Sequence, residues 1–202
     1  YVIIQGKPTW RNQALTQQST ETSIEKVFTE KYHVAGAEIL KDLHGPFAVA
    51  LINIDKNETL LAIDRIGVSS LVYTISEDCL IFGSSADYIN THPLTSPDLN
   101  IQAIYNFLYF HVIPGPDTIY NRYVRLLPGS YMLYKNGTIT EDRYWKIKFE
   151  PQDNHSFNSL KKEFLGLLEA CVSTGQEETQ QTGTFLSGGT DSSTVTGMLG
   201  KV

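Results

Sequence analysis

The chain holds 202 residues, 41% of them apolar, with 16 Lys and Arg against 22 Asp and Glu for a formal net charge of −6. That length buries one large or two modest cores. The acidic balance, with Lys and Arg scattered, excludes the basic stripe that would hold nucleic acid or an anionic membrane. No run approaches the roughly 18 apolar residues of a membrane span and no signal peptide opens the chain, so a cytoplasmic protein is expected. Cys79 and Cys171 lie far apart without metal-ligand spacing, which points to a reducing compartment and to packing in the core.

In chain order, Tyr1-Val2-Ile3-Ile4 reads as a strand already under way. Ile24, Val27, Phe28 and Tyr32 recur at helical spacing behind a Ser/Thr-rich start and predict an amphipathic helix over 19–34. A shorter helix is predicted over 37–43, closing at Gly45. Strands follow at 47–54 and 59–64, then a hairpin of 71–75 and 79–83, each mixing apolar runs with alternation as a sheet covered on one face requires. Residues 101–110 read as a helix capped by Asn100 and stopped by Ile113-Pro114-Gly115-Pro116, with Ile104, Leu108 and Tyr105 on its buried face. Its aromatic run, Tyr105, Phe107, Tyr109 and Phe110, reads as core packing. Asn136-Gly137 marks a hairpin turn between strands at 130–134 and 138–140.

A polar stretch from Glu150 to His155 separates this region from a second pattern. There Leu160, Phe164, Leu167, Leu168 and Cys171 mark a helix over 157–172, followed by an apolar run at 184–186 read as a buried strand and a helix over 191–199. The order predicts an α+β layered sandwich over 1–149, a linker at 150–156, and over 157–202 the beginning of an α/β parallel-sheet nucleotide-binding domain. With a strand under way at Tyr1 and a helix barely begun before Val202, the sequence reads as an internal stretch of a longer protein, expected to be inactive alone.

Between the predicted strand and the last helix stands Leu186-Ser187-Gly188-Gly189-Thr190-Asp191-Ser192-Ser193. Strand, glycine turn and helix start make an anion cradle, because glycine lets the backbone approach a phosphate and the first helical turn offers unpaired N–H groups. Hydroxyls at Ser187, Ser192 and Ser193 add donors. No Gly-Lys-Ser/Thr follows, which excludes a Walker A loop. Asp191 carries two readings: an acid complementing the helix dipole, or a hard oxygen ligand beside a polyphosphate.

Ser187 to Ser193 resembles the S-G-G-x-D-S-S pyrophosphate loop of ATP-pyrophosphatase enzymes, specifically the glutamine-hydrolysing asparagine synthetase family. The resemblance reaches upstream. Leu43-His44-Gly45-Pro46-Phe47-Ala48 is similar to the L-x-G-x-F-A segment of class II glutamine amidotransferase domains, which have an Ntn hydrolase fold. Ala62-Ile63-Asp64-Arg65-Ile66-Gly67 with Leu71-Val72-Tyr73 resembles A-R-D-R-x-G-x-x-P-L-Y-Y. Phe82-Gly83-Ser84 resembles F-A-S, and Ile113 to Ile119 with Leu127-Pro128-Gly129 resembles P-x-x-T-I and L-x-P-G. Tyr144-Trp145 sits where that domain hands over to the synthetase domain.

The resemblance implies an ATP-dependent amide-forming ligase that adenylates a carboxylate, aspartate by default, for attack by ammonia drawn from glutamine. It implies ATP held by Leu186, Ser187, Gly188, Gly189, Asp191, Ser192 and Ser193, with Asp191 a Mg²⁺ ligand, and a dimer as a common assembly. In such enzymes glutamine is hydrolysed by a cysteine at residue one whose own α-amine is the base. Here Tyr1 stands first, so the catalytic thiol is expected upstream. Gln5-Gly6 aligns with the glutamine-binding N-G-E segment and Glu21 with the aspartate that receives the substrate amine.

Several positions depart from that pattern. Gln5 replaces asparagine and Lys7 glutamate, while Ile63, Ser70 and Ser85 stand for arginine, proline and glutamate. Loss of one oxyanion donor costs roughly 3 kcal/mol of transition-state stabilisation. A glutaminase-deficient relative, of the kind that joins a carboxylate to an amine as β-lactam synthetase and lasso-peptide cyclases do, and a silent scaffold therefore stand as alternatives. His44 and His111 read as structural, and Arg65 as pairing with Asp64 or Glu21 in a solvated network.

Overall fold

The computed structural model describes residues 1–150, 156–175 and 182–201, so the predicted linker lies, but for its two ends, outside the described residues. The chain divides into two compact units, Tyr1–Ile147 and Lys148–Val202.

The first unit opens with β1 (Val2–Gly6) and β2 (Thr9–Trp10). Two helices follow where one is predicted: α1 (Gln13–Glu21), capped by Asn12, and α2 (Ile24–Ala35), capped by Ser23. Thr22 leaves helical geometry, and the Ser23 hydroxyl accepts the Lys26 N–H to start the next helix. Hydroxyl residues compete for the backbone, so a Ser/Thr stretch serves better as a cap than as a helix interior. The short helix is a 3-10 helix, Gly36–Asp42, and Gly45 turns the chain between β3 (Leu43–His44) and β4 (Phe47–Asn53) instead of capping it.

β5 (Glu58–Ile63), β6 (Val72–Ser76) and β7 (Cys79–Gly83) come next, then α3 (Ala86–Asn90) and α4 (Ile101–Phe110). β8 (Val124–Arg125), β9 (Ser130–Lys135) and β10 (Thr138–Arg143) complete the unit. One antiparallel sheet runs β1-β4-β5-β9-β10, another β7-β6-β8. The Asn136-Gly137 turn takes positive φ at both residues, as do Glu77 and Asp78, which is the backbone a two-residue hairpin needs.

Alternation along β4 separates two cores. Phe47, Val49 and Leu51 join Val27, Phe28 and Leu40 beneath the helices. Ala48 and Ala50, with Leu61, Ile63 and Met132, face Tyr73 and Leu126 of the second sheet region. Behind that sheet, Ile89 of α3 packs with Val72, Ile81 and Tyr123. Helix layer, sheet, sheet and helix make the expected α+β sandwich.

Three expectations for packing are corrected. On α4 only Ala103 is buried, whereas Tyr105, Leu108 and the aromatics Phe107, Tyr109 and Phe110 are exposed within this unit. The helix carries no charge and is apolar on all but the side held by Gln102 and Asn106, which bond to each other at 2.9 Å, so periodicity left more than one candidate inner face. Cys79, at the mouth of a hairpin, and Cys171, on an open helix face, are both exposed free thiols. Neither packs in a core.

In the second unit α5 (Phe157–Thr174) is capped by Ser156, and α6 (Thr190–Leu199) packs against it. Residues 184–186 form no strand, and Phe185 is fully exposed. A strand requires a partner for its backbone groups, and no described residue pairs with this segment. Among the described residues no helix is long and apolar enough to cross a membrane.

Candidate functional site

The glycine turn and the helix start after it are present, without the strand expected before them. Gly188 holds φ +82, a conformation in which a side chain is strained, and open space surrounds the position a Cβ would take. Gly189 then stands as N-cap of α6. Without a capping side chain, the first-turn N–H groups of Thr190 and Asp191 are left for an incoming acceptor. The Ser187 and Ser192 hydroxyls lie 2.9 Å apart, and the Ser187 N–H donates to Ser192 Oγ at 3.3 Å. Ser192 Oγ donates in turn to the Gly189 carbonyl at 3.2 Å.

The structure thus gathers Ser187, Gly188, Gly189 and Ser192 into one hydrogen-bonded loop. Asp191 and Ser193 stand on the same helical turn, exposed, and neither side chain makes a hydrogen bond or ion pair among the described residues. Leu186 precedes the loop and is exposed. No group of three or more His, Cys, Asp or Glu capable of holding a metal occurs among the described residues. A lone carboxylate beside free N–H groups and hydroxyls suits Mg²⁺, which is commonly held by one or two carboxylates and the oxygens of a polyphosphate.

The residues aligned with a glutamine site are only partly assembled. Gly6 ends β1 at φ +106 with the Pro46 carbonyl oxygen 2.3 Å from where a Cβ would sit, and the Lys7 N–H donates to that oxygen at 3.0 Å. The close approach of the two chains demands glycine. Gln5, paired with Ala48, points away from the helix-covered core and lines a small cavity of about 170 Å³ with Leu71 and Phe82. Glu21 lies at the end of α1, exposed, and accepts the Gln17 amide at 3.5 Å. No hydrogen bond among the described residues joins it to Gln5 or Gly6.

Sequence reasoning missed the role of Asp64. This buried carboxylate accepts backbone N–H groups from Ser69 at 2.8 Å, Val68 at 3.0 Å and Ile66 at 3.2 Å. It therefore does not pair with Arg65. That guanidinium donates to the Lys41 carbonyl at 2.8 Å, faces His44 Nε2 at 3.0 Å and lies 5.8 Å from the Trp145 ring centre. Burial, then the charge of Arg65, hold the His44 pKa below its ordinary value. The signal available in sequence was an aspartate at the start of a Gly- and Ser-containing turn, where its carboxylate can accept the N–H groups of the residues that follow.

A cavity of about 500 Å³ opens beside the second sheet, and Ile63, Ser70 and Ser85 all line it. Three of the five departures noted in sequence thus line one cavity.

The model of the glutamine amidotransferase domain matches residues 10–145, and that of asparagine synthase matches 163–202. Asparagine synthetase (glutamine-hydrolyzing) 1 of Bacillus subtilis strain 168 is 29% identical over 173 residues, 83% of this chain and 26% of that protein. Asparagine synthetase (glutamine-hydrolyzing) 3 of the same organism is 26% identical over 180 residues, 89% of this chain and 29% of that protein. Amidase chyE of Penicillium rubens is 26% identical over 196 residues, covering 94% and 28%. The chain spans about a quarter of the length of these curated relatives. A solved glutamine phosphoribosylpyrophosphate amidotransferase from B. subtilis is more distant, at 13% identity and a TM-score of 0.43 over 88% of this chain and 39% of that one. With two thirds of its length matched by one domain model, and a shorter match to the asparagine synthase model after it, the chain belongs to the glutamine amidotransferase domain family.

Proposed function

We propose that the chain forms part of an ATP-dependent amide-forming ligase of the asparagine synthase type, in which a carboxylate is adenylated and then attacked by ammonia. The observation that carries this reading is the loop from Ser187 to Ser193, with an unblocked helix start, a glycine at positive φ and a carboxylate that has no partner among the described residues. Ser192, Ser193 and the first-turn N–H groups of α6 would meet the phosphates, and Asp191 would hold Mg²⁺. The bound ion supplies charge neutralisation at the polyphosphate. Donors fixed before the reaction stabilise the negative charge that grows as the α–β bond of ATP breaks.

A second reading keeps the adenylation and drops the glutaminase, with the first unit serving as a scaffold. Gln5 and Lys7 favour it, since they stand where an oxyanion donor and a glutamate are expected, and no hydrogen bond among the described residues joins Glu21 to Gln5 or Gly6.

ATP–pyrophosphate exchange by the full-length protein, with and without aspartate and beside Asp191→Ala, tests the proposal. Aspartate-dependent exchange abolished by the substitution is expected. Exchange that requires another carboxylate selects the second reading, and no exchange under any condition rejects both. A cysteine directly after the initiator methionine would favour the glutaminase-competent form.

A further inference from the structure

Arg65 ties three parts of the first unit together. Its Nη2 donates to the Lys41 carbonyl of the 3-10 helix at 2.8 Å and faces His44 Nε2 of β3 at 3.0 Å. The guanidinium also lies 5.8 Å from the ring centre of the half-buried Trp145, which follows β10, within reach of a cation–π contact. No carboxylate pairs with Arg65 among the described residues, and Asp64 beside it in sequence accepts backbone N–H groups instead.

This partnership defines the protonation state of His44. A guanidinium only donates hydrogen bonds, so Nε2 accepts, and the imidazole is neutral with its proton on Nδ1. Both hydrogens of Nη2 are then used. A second proton on the ring would sit on Nε2 itself, setting a donor and a positive charge against those of Arg65 across the same 3.0 Å. The other charged groups acting on the ring are Arg11, just after β2, and Asp42, at the end of the 3-10 helix. Cations thus face His44 from two segments and a carboxylate from one. Because the guanidinium is planar and rigid, turning Nη2 away from His44 also turns the group that lies against Trp145.

We propose that protonation of His44 expels Arg65 from its place beside Trp145, making this corner a pH-sensitive latch on the segment that follows β10. The latch is closed while His44 is neutral and opens as pH falls. Trp145 is otherwise held by its backbone N–H, which donates to the Gly129 carbonyl at 3.1 Å. His44 stands at the x of the L-x-G-x-F-A segment, so the resemblance does not itself call for a histidine there. The latch needs neither ATP nor glutamine, and it stands or falls apart from the ligase reading.

NMR titration of the isotope-labelled full chain from neutral pH downward tests it, following the His44 imidazole and the Trp145 indole N–H. Trp10, buried in the core beneath the helices, serves as the internal reference. The Trp145 signal is expected to shift with the same midpoint as the His44 ring. His44→Gln, whose side-chain oxygen still accepts from Arg65 but takes no proton, should leave the Trp145 signal flat through that range. Arg65→Gln should leave it flat while His44 still titrates. Thermal unfolding at neutral pH checks that both variants fold, and coincidence of the two midpoints in the unaltered chain needs no variant. A Trp145 signal that stays still while His44 titrates, that moves at another midpoint, or that still moves in either folded variant overturns the proposal. So does a His44 ring that takes up no proton while the chain remains folded.

Discussion

The Asp64 carboxylate accepts the Ser69 backbone N–H at 2.8 Å, closing the loop that leaves β5. With Val68 and Ile66 as further donors, one buried side chain does for this loop what a neighbouring strand would otherwise do. Asp64→Asn turns one acceptor oxygen into a donor facing N–H groups. It should lower unfolding free energy by about 2–3 kcal/mol. Urea denaturation checks this, with the midpoint shifted and the slope unchanged.

Gly6→Ala is expected to destabilise the first unit by at least about 2 kcal/mol, from the φ of the position and from collision with the Pro46 carbonyl. Gly166→Ala provides the contrast. That residue lies inside α5 with nothing near its would-be Cβ, so alanine should stabilise by about 0.5–1 kcal/mol through helix propensity. Thermal unfolding of the two variants should move in opposite directions.

Glu58 accepts hydrogen bonds from Lys135 Nζ at 3.0 Å and from the Tyr32 hydroxyl at 2.9 Å. Burial pushes its pKa up, but the Lys135 and Tyr32 bonds outweigh it, and the net shift is downward. The unfolded chain therefore binds this proton more readily. The stability Glu58 contributes is present above its unfolded pKa of about 4.3 and is lost as pH falls through the lower folded value. Glu58→Gln should flatten that acid limb in stability measured against pH.

His44 behaves in the same direction in a higher window. Its folded pKa is depressed by burial and then by Arg65, so its contribution is full above about pH 6.5 and declines as pH falls from there. The imidazole resonances of His44 should titrate below those of a free histidine, and Arg65→Gln should move them back up.

What sequence made legible was contiguous. The glycine loop, the Asn136-Gly137 hairpin and the Asn100 cap each lie within a few residues, and local chemistry decided them. Gln5 and Glu21 belong to different elements, and only packing could show that no bond links them. The helix over 101–110 and its Asn100 cap stand as expected, but its inner face does not, because apolar residues cover all of the helix except the Gln102–Asn106 side. The reading over 19–34 failed because Ser23 has the composition of a helix start and was met in mid-helix. Residues 184–186 have the composition of a strand, but pairing is a property of two segments.

The two faces of β4 carry residues of different size, Phe47, Val49 and Leu51 toward the helices but Ala48 and Ala50 toward the second sheet. The alanines act as a spacer between two rigid layers that normally lie about 10 Å apart. Ala50 also borders the small cavity lined by Gln5, Leu71 and Phe82, so a larger residue there has a space to enter, whereas one at the fully buried Val49 must displace the helix layer.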